Sequence, residues 1–216
     1  SMKWSDNNMI WGRPLRSILA IYNKKLLSFS YGHLKSTDTV IIEKDLTIKN
    51  KKVKNFNEYQ NLLRSNKIIF DQDERKKIIS KKFEALCKSR NFKEDFNSNL
   101  LEEVVNIVEN PNVIIIEFSK DYLKLPQEII ISTLQSHQRY FPLFENSGRL
   151  SNYFFVVTNK GDNKNFIKNG NKRVVEARLS DAKFFWEKDK SKNLIKQIGK
   201  LKNIIYYEKI GTIYDK

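Results

Sequence analysis

The chain has 216 residues, a formal net charge of +15 and hydrophobic side chains at 40% of positions. That length can bury a sizeable core in one large domain or two small ones, which excludes a peptide or an unstructured tail. One cysteine and two histidines leave no internal disulfide and too few ligands for a structural zinc site, and no apolar run approaches the roughly 20 residues that span a bilayer.

Short elements fill the first third. Residues 8–11 read as a strand, Pro14 is placed to open a short helix over 14–22, and 26–31 alternate like a strand before Gly32. Residues 40–42 and 47–53 read as a hairpin, 57–64 as a short helix and 68–70 as a strand. Asp71 with Glu74 has the pattern of a capping box, and Ile79, Phe83 and Leu86 follow at helical spacing, which predicts a helix over 72–89. After a linker, Ser98 or Asn99 caps a helix carrying Leu100, Leu101, Val104, Val105 and Val108, which ends before Asn110 and Pro111. The β-branched run 113–118 is a buried strand.

Leu125 and Pro126 open a helix to about residue 136. Residues 140–144 and 152–158 flank the turn Asn146, Ser147, Gly148 and read as a hairpin. A long helix begins at Gly170. Val175, Leu179, Ala182 and Trp186 form one apolar stripe along it, and Val174, Arg178, Asp181 and Phe185 form the stripe beside it. Residues 191–200 read as one more amphipathic helix, followed by an apolar stretch over 204–213. Helices and hairpins alternate without a uniform repeat, so the fold class is α+β, a mixed sheet with packed helices.

Candidate functional residues are few. Cys87 lies among Phe83, Leu86 and charged neighbours and reads as a small core residue rather than a nucleophile. His137, Arg139 and Tyr140 sit at a passage from helix to strand. Arg139 is placed for a phosphate or ribose and Tyr140 for base stacking, while the competing reading puts Tyr140 and Phe141 in the core. Arg178 and Asp181, three apart on one helix face, can form a structural ion pair on a buried flank. Lys172 and Arg173 stand where the helix is expected to start, so free backbone N–H groups and the helix dipole there would favour an anion. No catalytic set, metal cluster or phosphate-cradling glycine loop is present in the sequence. The positive charge points to an anionic partner, nucleic acid first, although abundant Lys, Asn and Ile also follow from A/T-rich codons.

Several runs together resemble the beta subunit of the bacterial heterotetrameric glycyl-tRNA synthetase. They are Arg13-Pro14, Asp71 with Glu74-Arg75, Leu101-Glu102-Glu103-Val104, Leu125-Pro126 with Glu128, the 137–142 run, the 170–185 helix and the ending Tyr207-Glu208-Lys209-Ile210-Gly211-Thr212. The 137–142 and 170–185 runs are the specific ones. One departure is that the Gly-His-Arg-Phe run usual in the family is missing where Ser36-Thr37-Asp38-Thr39 passes into Val40.

The resemblance implies an editing-domain-like α+β region over 1–190, similar to that of phenylalanyl-tRNA synthetase, and a helical linker over 191–216 leading to a further domain. It implies a cytoplasmic ligase subunit of two alpha and two beta chains, partnered by tRNA(Gly) and the alpha subunit. ATP and Mg would act in the alpha subunit, with no cofactor and no catalytic residue in this segment, so the segment alone would neither activate glycine nor hydrolyse ATP. The alternatives are an aminoacyl-tRNA editing hydrolase and a purely structural spacer. Ser1-Met2 reads as a cloning remnant, and the stop at Asp215-Lys216 reads as an internal end within a longer polypeptide.

Overall fold

The computed structural model describes residues 2–3, 10–12, 15–44, 47–94, 97–193, 195–208 and 210–215. Arg13 and Pro14 lie outside them, as do Asn8 and Lys209. The chain divides into two compact units, Ser1–Gln72 and Asp73–Lys216.

The first unit is built from short strands: β1 (Met2–Lys3), β2 (Ile10–Trp11), β3 (Ile18–Leu19), β4 (Ile21–Tyr22), β5 (Lys25–Leu26), β6 (Ser30–Tyr31), β7 (Leu34–Thr37), β8 (Thr39–Lys44) and β9 (Thr47–Lys52). Helix α1 (Phe56–Ser65) follows, capped by the Asn55 side chain, which accepts from the Glu58 N–H. The helix expected over 14–22 is instead β3 and β4. Asn23 and Lys24 both take left-handed backbone angles between β4 and β5, so Tyr22 pairs with Lys25 across a two-residue turn that a helix would not allow. The expected hairpin is present, with β8 and β9 in register from Thr39–Lys52 to Lys44–Thr47. Residues 68–70 form no strand; Phe70 packs edge-on against Phe56 and Tyr59 instead.

The second unit begins with α2 (Gln72–Arg90) and α3 (Ser98–Ile107), then β10 (Asn112–Glu117). A short 3-10 turn (Lys120–Lys124) leads to α4 (Gln127–Gln138), and β11 (Phe141–Phe144) and β12 (Leu150–Thr158) precede the long α5 (Phe166–Lys190). The cap of α3 is Asn97, one residue before the expected pair; its side chain accepts from the Leu100 N–H at 3.1 Å. The amphipathic helix expected over 191–200 is a 3-10 segment, Ile195–Asn203, followed by β13 (Ile205–Tyr207) and β14 (Gly211–Thr212).

An antiparallel sheet in the order β10-β12-β11 forms the centre of this unit. Side chains alternate strictly across it, as the two-residue period of a strand requires. Phe155, Phe141 and Leu143 go to one face, where Ile79, Phe83 and Cys87 of α2 and Leu101, Val104 and Val105 of α3 close over them. Phe154, Val156 and Ile116 go to the other, under Ile130 and Leu134 of α4 and Val175 and Leu179 of α5. With both faces covered, β10 and β12 read as near-continuous apolar runs. Gly148, at a backbone angle of φ +82°, turns β11 into β12, and its N–H donates to the Glu145 carbonyl at 2.8 Å.

Arg75 is buried among these apolar groups and donates from Nε to the Val105 carbonyl at 3.0 Å, linking α2 to the end of α3. Cys87 is buried on the same face, and burial, reinforced by Glu94, pushes its thiol up to about 11. At neutral pH only about one molecule in ten thousand would carry the thiolate. Native protein is therefore expected to react with a thiol-exchange reagent at least a hundredfold more slowly than protein unfolded in guanidinium. A native rate near the unfolded one would contradict this burial.

Candidate nucleic-acid interface

The two sequence runs that carry the resemblance meet in space. Helix α4 ends at Arg139, which takes a left-handed angle of φ 58°. The Tyr140 N–H then donates back to the Leu134 carbonyl at 2.9 Å, which turns the chain sharply into β11. Tyr140 consequently enters the core, 7% exposed and stacked on Phe154 with ring centroids 5.2 Å apart. Its hydroxyl donates to Oδ1 of Asn171 in α5, and the Asn171 amide donates to the Ile167 carbonyl at 2.7 Å. Burial raises the Tyr140 hydroxyl above its ordinary value, with Arg178 opposing.

This geometry decides between the two readings of Tyr140 in favour of the core and corrects two other expectations. Tyr140 is a packing residue and offers no free ring for a base. Arg139 is exposed, but its guanidinium donates to the Gln135 and Ser136 carbonyls and its Nε lies 2.5 Å from Glu103 on α3, so its charge is engaged in closing α4. Arg178 and Asp181 are both exposed, and no ion pair joins them. The reason is width: α5 buries only the narrow stripe of Val175, Leu179 and the half-buried Ala182, and the neighbouring stripe lies beyond the edge of that contact. His137 is also exposed, in the last turn of α4.

We expect Arg178→Ala to shift unfolding free energy by no more than about 0.5 kcal/mol, as for an ordinary surface substitution. Tyr140→Phe should cost about 1–2 kcal/mol, because the Asn171 oxygen loses its donor. Chemical denaturation of the two variants side by side checks the ranking, and the reverse order would restore the structural ion pair of Arg178 with Asp181.

Helix α5 begins at Phe166, not at Gly170, because glycine within a helix is tolerated and open space surrounds this one. Lys172 and Arg173 therefore lie well inside it. The free N–H groups at its true start are already served, since the Asp162 carboxylate accepts from Ile167 at 3.1 Å and Lys168 at 2.7 Å. The anion site expected from the helix dipole at Lys172 and Arg173 is absent for that reason.

The two cations instead line an open groove of about 470 Å³ between α5 and the 120–124 turn, with Tyr122, Asn169, Glu176 and Ser180. Glu176 anchors the groove by accepting from the Ser119 N–H at 3.0 Å, and Lys172 Nζ stands 3.9 Å from the same oxygen. Lys172 is thus partly neutralised. Arg173 is exposed and makes no ion pair with the described residues.

From Arg173 an exposed stripe continues along α5 through Ala177, Ser180, Phe184 and Lys188 at spacings of four, three, four and four. At 1.5 Å per residue it is about 22 Å long. Phe184 is 59% exposed, and the Lys188 ammonium sits 5.7 Å from its ring centre. Lys190 lies over Trp186 at 5.9 Å and Lys202 over Tyr214 at 4.4 Å. Residues 183–202 hold seven lysines against two acidic residues. Cations interleaved with open aromatic faces can hold phosphates and stack bases together. The sequence reading missed Phe184 and Lys188; the helical spacing of Phe184 from Arg173, 11 residues, was legible, but its exposure was not.

Among the described residues no group of three or more His, Cys, Asp or Glu side chains is arranged to hold a metal, and no helix is long and apolar enough to cross a membrane.

Comparison with known proteins places the chain among the aminoacyl-tRNA synthetases. A family described as the glycyl-tRNA synthetase beta subunit matches residues 1–216, and the chain belongs to it. It is 38% identical over 216 residues to the glycine–tRNA ligase beta subunit of Thermodesulfovibrio yellowstonii, covering 100% of this chain and 32% of that protein. The corresponding protein of Clostridioides difficile is 37% identical over 218 residues, with 100% and 31% covered. The chain thus spans about a third of the length of the curated relatives it matches.

Proposed function

We propose that this chain serves ATP-dependent glycyl-tRNA synthesis as a tRNA-docking and scaffolding part of a beta subunit, partnered by tRNA(Gly) and an alpha subunit in a cytoplasmic enzyme. In this reading the alpha subunit performs the chemistry with ATP and Mg²⁺, and this chain contributes no catalytic residue. The observation that carries the docking role is the α5 stripe, where Arg173 makes no ion pair with the described residues and Phe184 is exposed beside Lys188. Membership of the glycyl-tRNA synthetase beta subunit family supports tRNA(Gly) as the RNA in this reading.

The electrostatics favour Arg173 over its neighbour. Lys172 already faces Glu176, so a phosphate there would compete with a carboxylate, while a phosphate at Arg173 meets only a solvated guanidinium. Binding of tRNA(Gly) to the wild-type protein and to Arg173→Glu, at low salt and with circular dichroism to verify the fold, tests the role. A loss of tenfold or more is expected. Unchanged affinity would remove the stripe from the account, and the scaffold role would stand without RNA.

A further inference from the structure

The central sheet has two edges, and they are treated differently. At β11, the chain at Phe92 and Lys93 bridges to Glu145 and donates to the Phe144 carbonyl at 2.9 Å. At β10, pairing among the described residues is on the β12 side alone. Because Phe118 donates to the Asn152 carbonyl, the hydrogen-bonded pairs with β12 fall at Ile116, Ile114 and Asn112, and the alternating residues Val113 and Ile115 turn their N–H and C=O groups outward. No partner among the described residues takes those groups.

The open edge forms the floor of a groove of about 450 Å³. Lys82, Leu86 and Arg90 of α2 form one wall, and Asn165 and Lys168 at the start of α5 form the other. The strand itself carries no charge over Val113-Ile114-Ile115-Ile116, so the cations that would normally guard an edge sit on the walls instead, facing whatever lies along it. Asp162 is the acidic group in the groove, and its carboxylate is occupied by the Ile167 and Lys168 N–H groups.

We propose that the open edge of β10 takes up an extended acidic peptide segment of a partner protein as a fourth strand, its backbone bonded to Val113 and Ile115 and its carboxylates beside Lys82, Arg90 and Lys168. Outward-facing backbone donors and acceptors select a peptide chain, because a nucleic-acid backbone supplies acceptors but no regularly spaced amide donors to answer the strand carbonyls. The three cations select its charge.

The test uses an end-blocked synthetic peptide of alternating Glu and Val, with hydrogen exchange of the 112–117 segment in the intact protein as readout. The peptide should slow exchange of that segment at least tenfold. Methylating the amide nitrogens along one edge of the peptide should weaken binding by at least tenfold, since that change removes donors without touching the protein. In Lys82→Glu/Lys168→Glu, preference should pass to a Lys-Val peptide of the same length. No protection by the Glu-Val peptide, equal binding of the methylated peptide, or equal protection by oligo(U) would each overturn the proposal.

Discussion

Phe155→Ala is expected to lower the unfolding free energy of the second unit by about 3–5 kcal/mol, the usual loss when a buried phenylalanine is truncated and the cavity cannot collapse. Phe155 is 1% exposed and lies between two rings, Phe141 at 4.3 Å with planes 2° apart and Phe83 at 4.8 Å. It therefore joins β12 to β11 within the sheet and to α2 above it. Removing it loses aromatic contacts on two sides as well as burial. A domain with 5–15 kcal/mol of total stability would keep little margin. Phe155→Leu, which preserves most of the volume, should lose less than half as much. Urea midpoints with unchanged slopes measure the difference, and a loss under 1 kcal/mol for the alanine variant would mean that this face repacks freely.

Replacing Arg173, Phe184 and Lys188 together by alanine should leave that stability within about 1 kcal/mol, because all three are exposed on α5. Its effect on tRNA should be large. One stacked base is worth about 1–3 kcal/mol, which alone is roughly a 5-fold to 150-fold loss of affinity. The two lost cations should also flatten the slope of log affinity against log salt by about two phosphate contacts' worth. A loss of affinity with an unchanged slope would assign the effect to Phe184 and leave the charges idle. His137→Ala is the matched control, exposed but off the stripe.

The second unit was legible where a single period governed a segment. Ile79 and Phe83, the 113–118 run and the 140–158 hairpin all lie where alternation or helical spacing put them, because each face meets a complete apolar layer. The first unit was less legible. Its strands are two to six residues long, too short for a period to show, and the turn that fixes β4 against β5 depends on left-handed angles at Asn23, a residue that tolerates one, and at Lys24, which does not announce one. Part of the site was illegible for a different reason. Arg139, Tyr140, Arg178 and Asp181 were judged by residue type, but their roles depend on which stripe of α5 meets α4 and on a chain reversal at Arg139. Asn171, which receives the Tyr140 hydroxyl, was hidden within a polar run at what looked like a helix start. Phe184 stood in plain view at helical spacing from Arg173, yet exposure of an aromatic becomes visible only once the opposite face is seen to be buried.

Contact between α5 and RNA can be read directly by placing a photoreactive benzoylphenylalanine at position 184 or, in a separate protein, at position 137, and irradiating each with tRNA(Gly). A tRNA adduct from position 184 that high salt abolishes is expected, with little or none from position 137. An adduct from position 137 alone would contradict that expectation, and would move the RNA from the stripe on α5 to the end of α4.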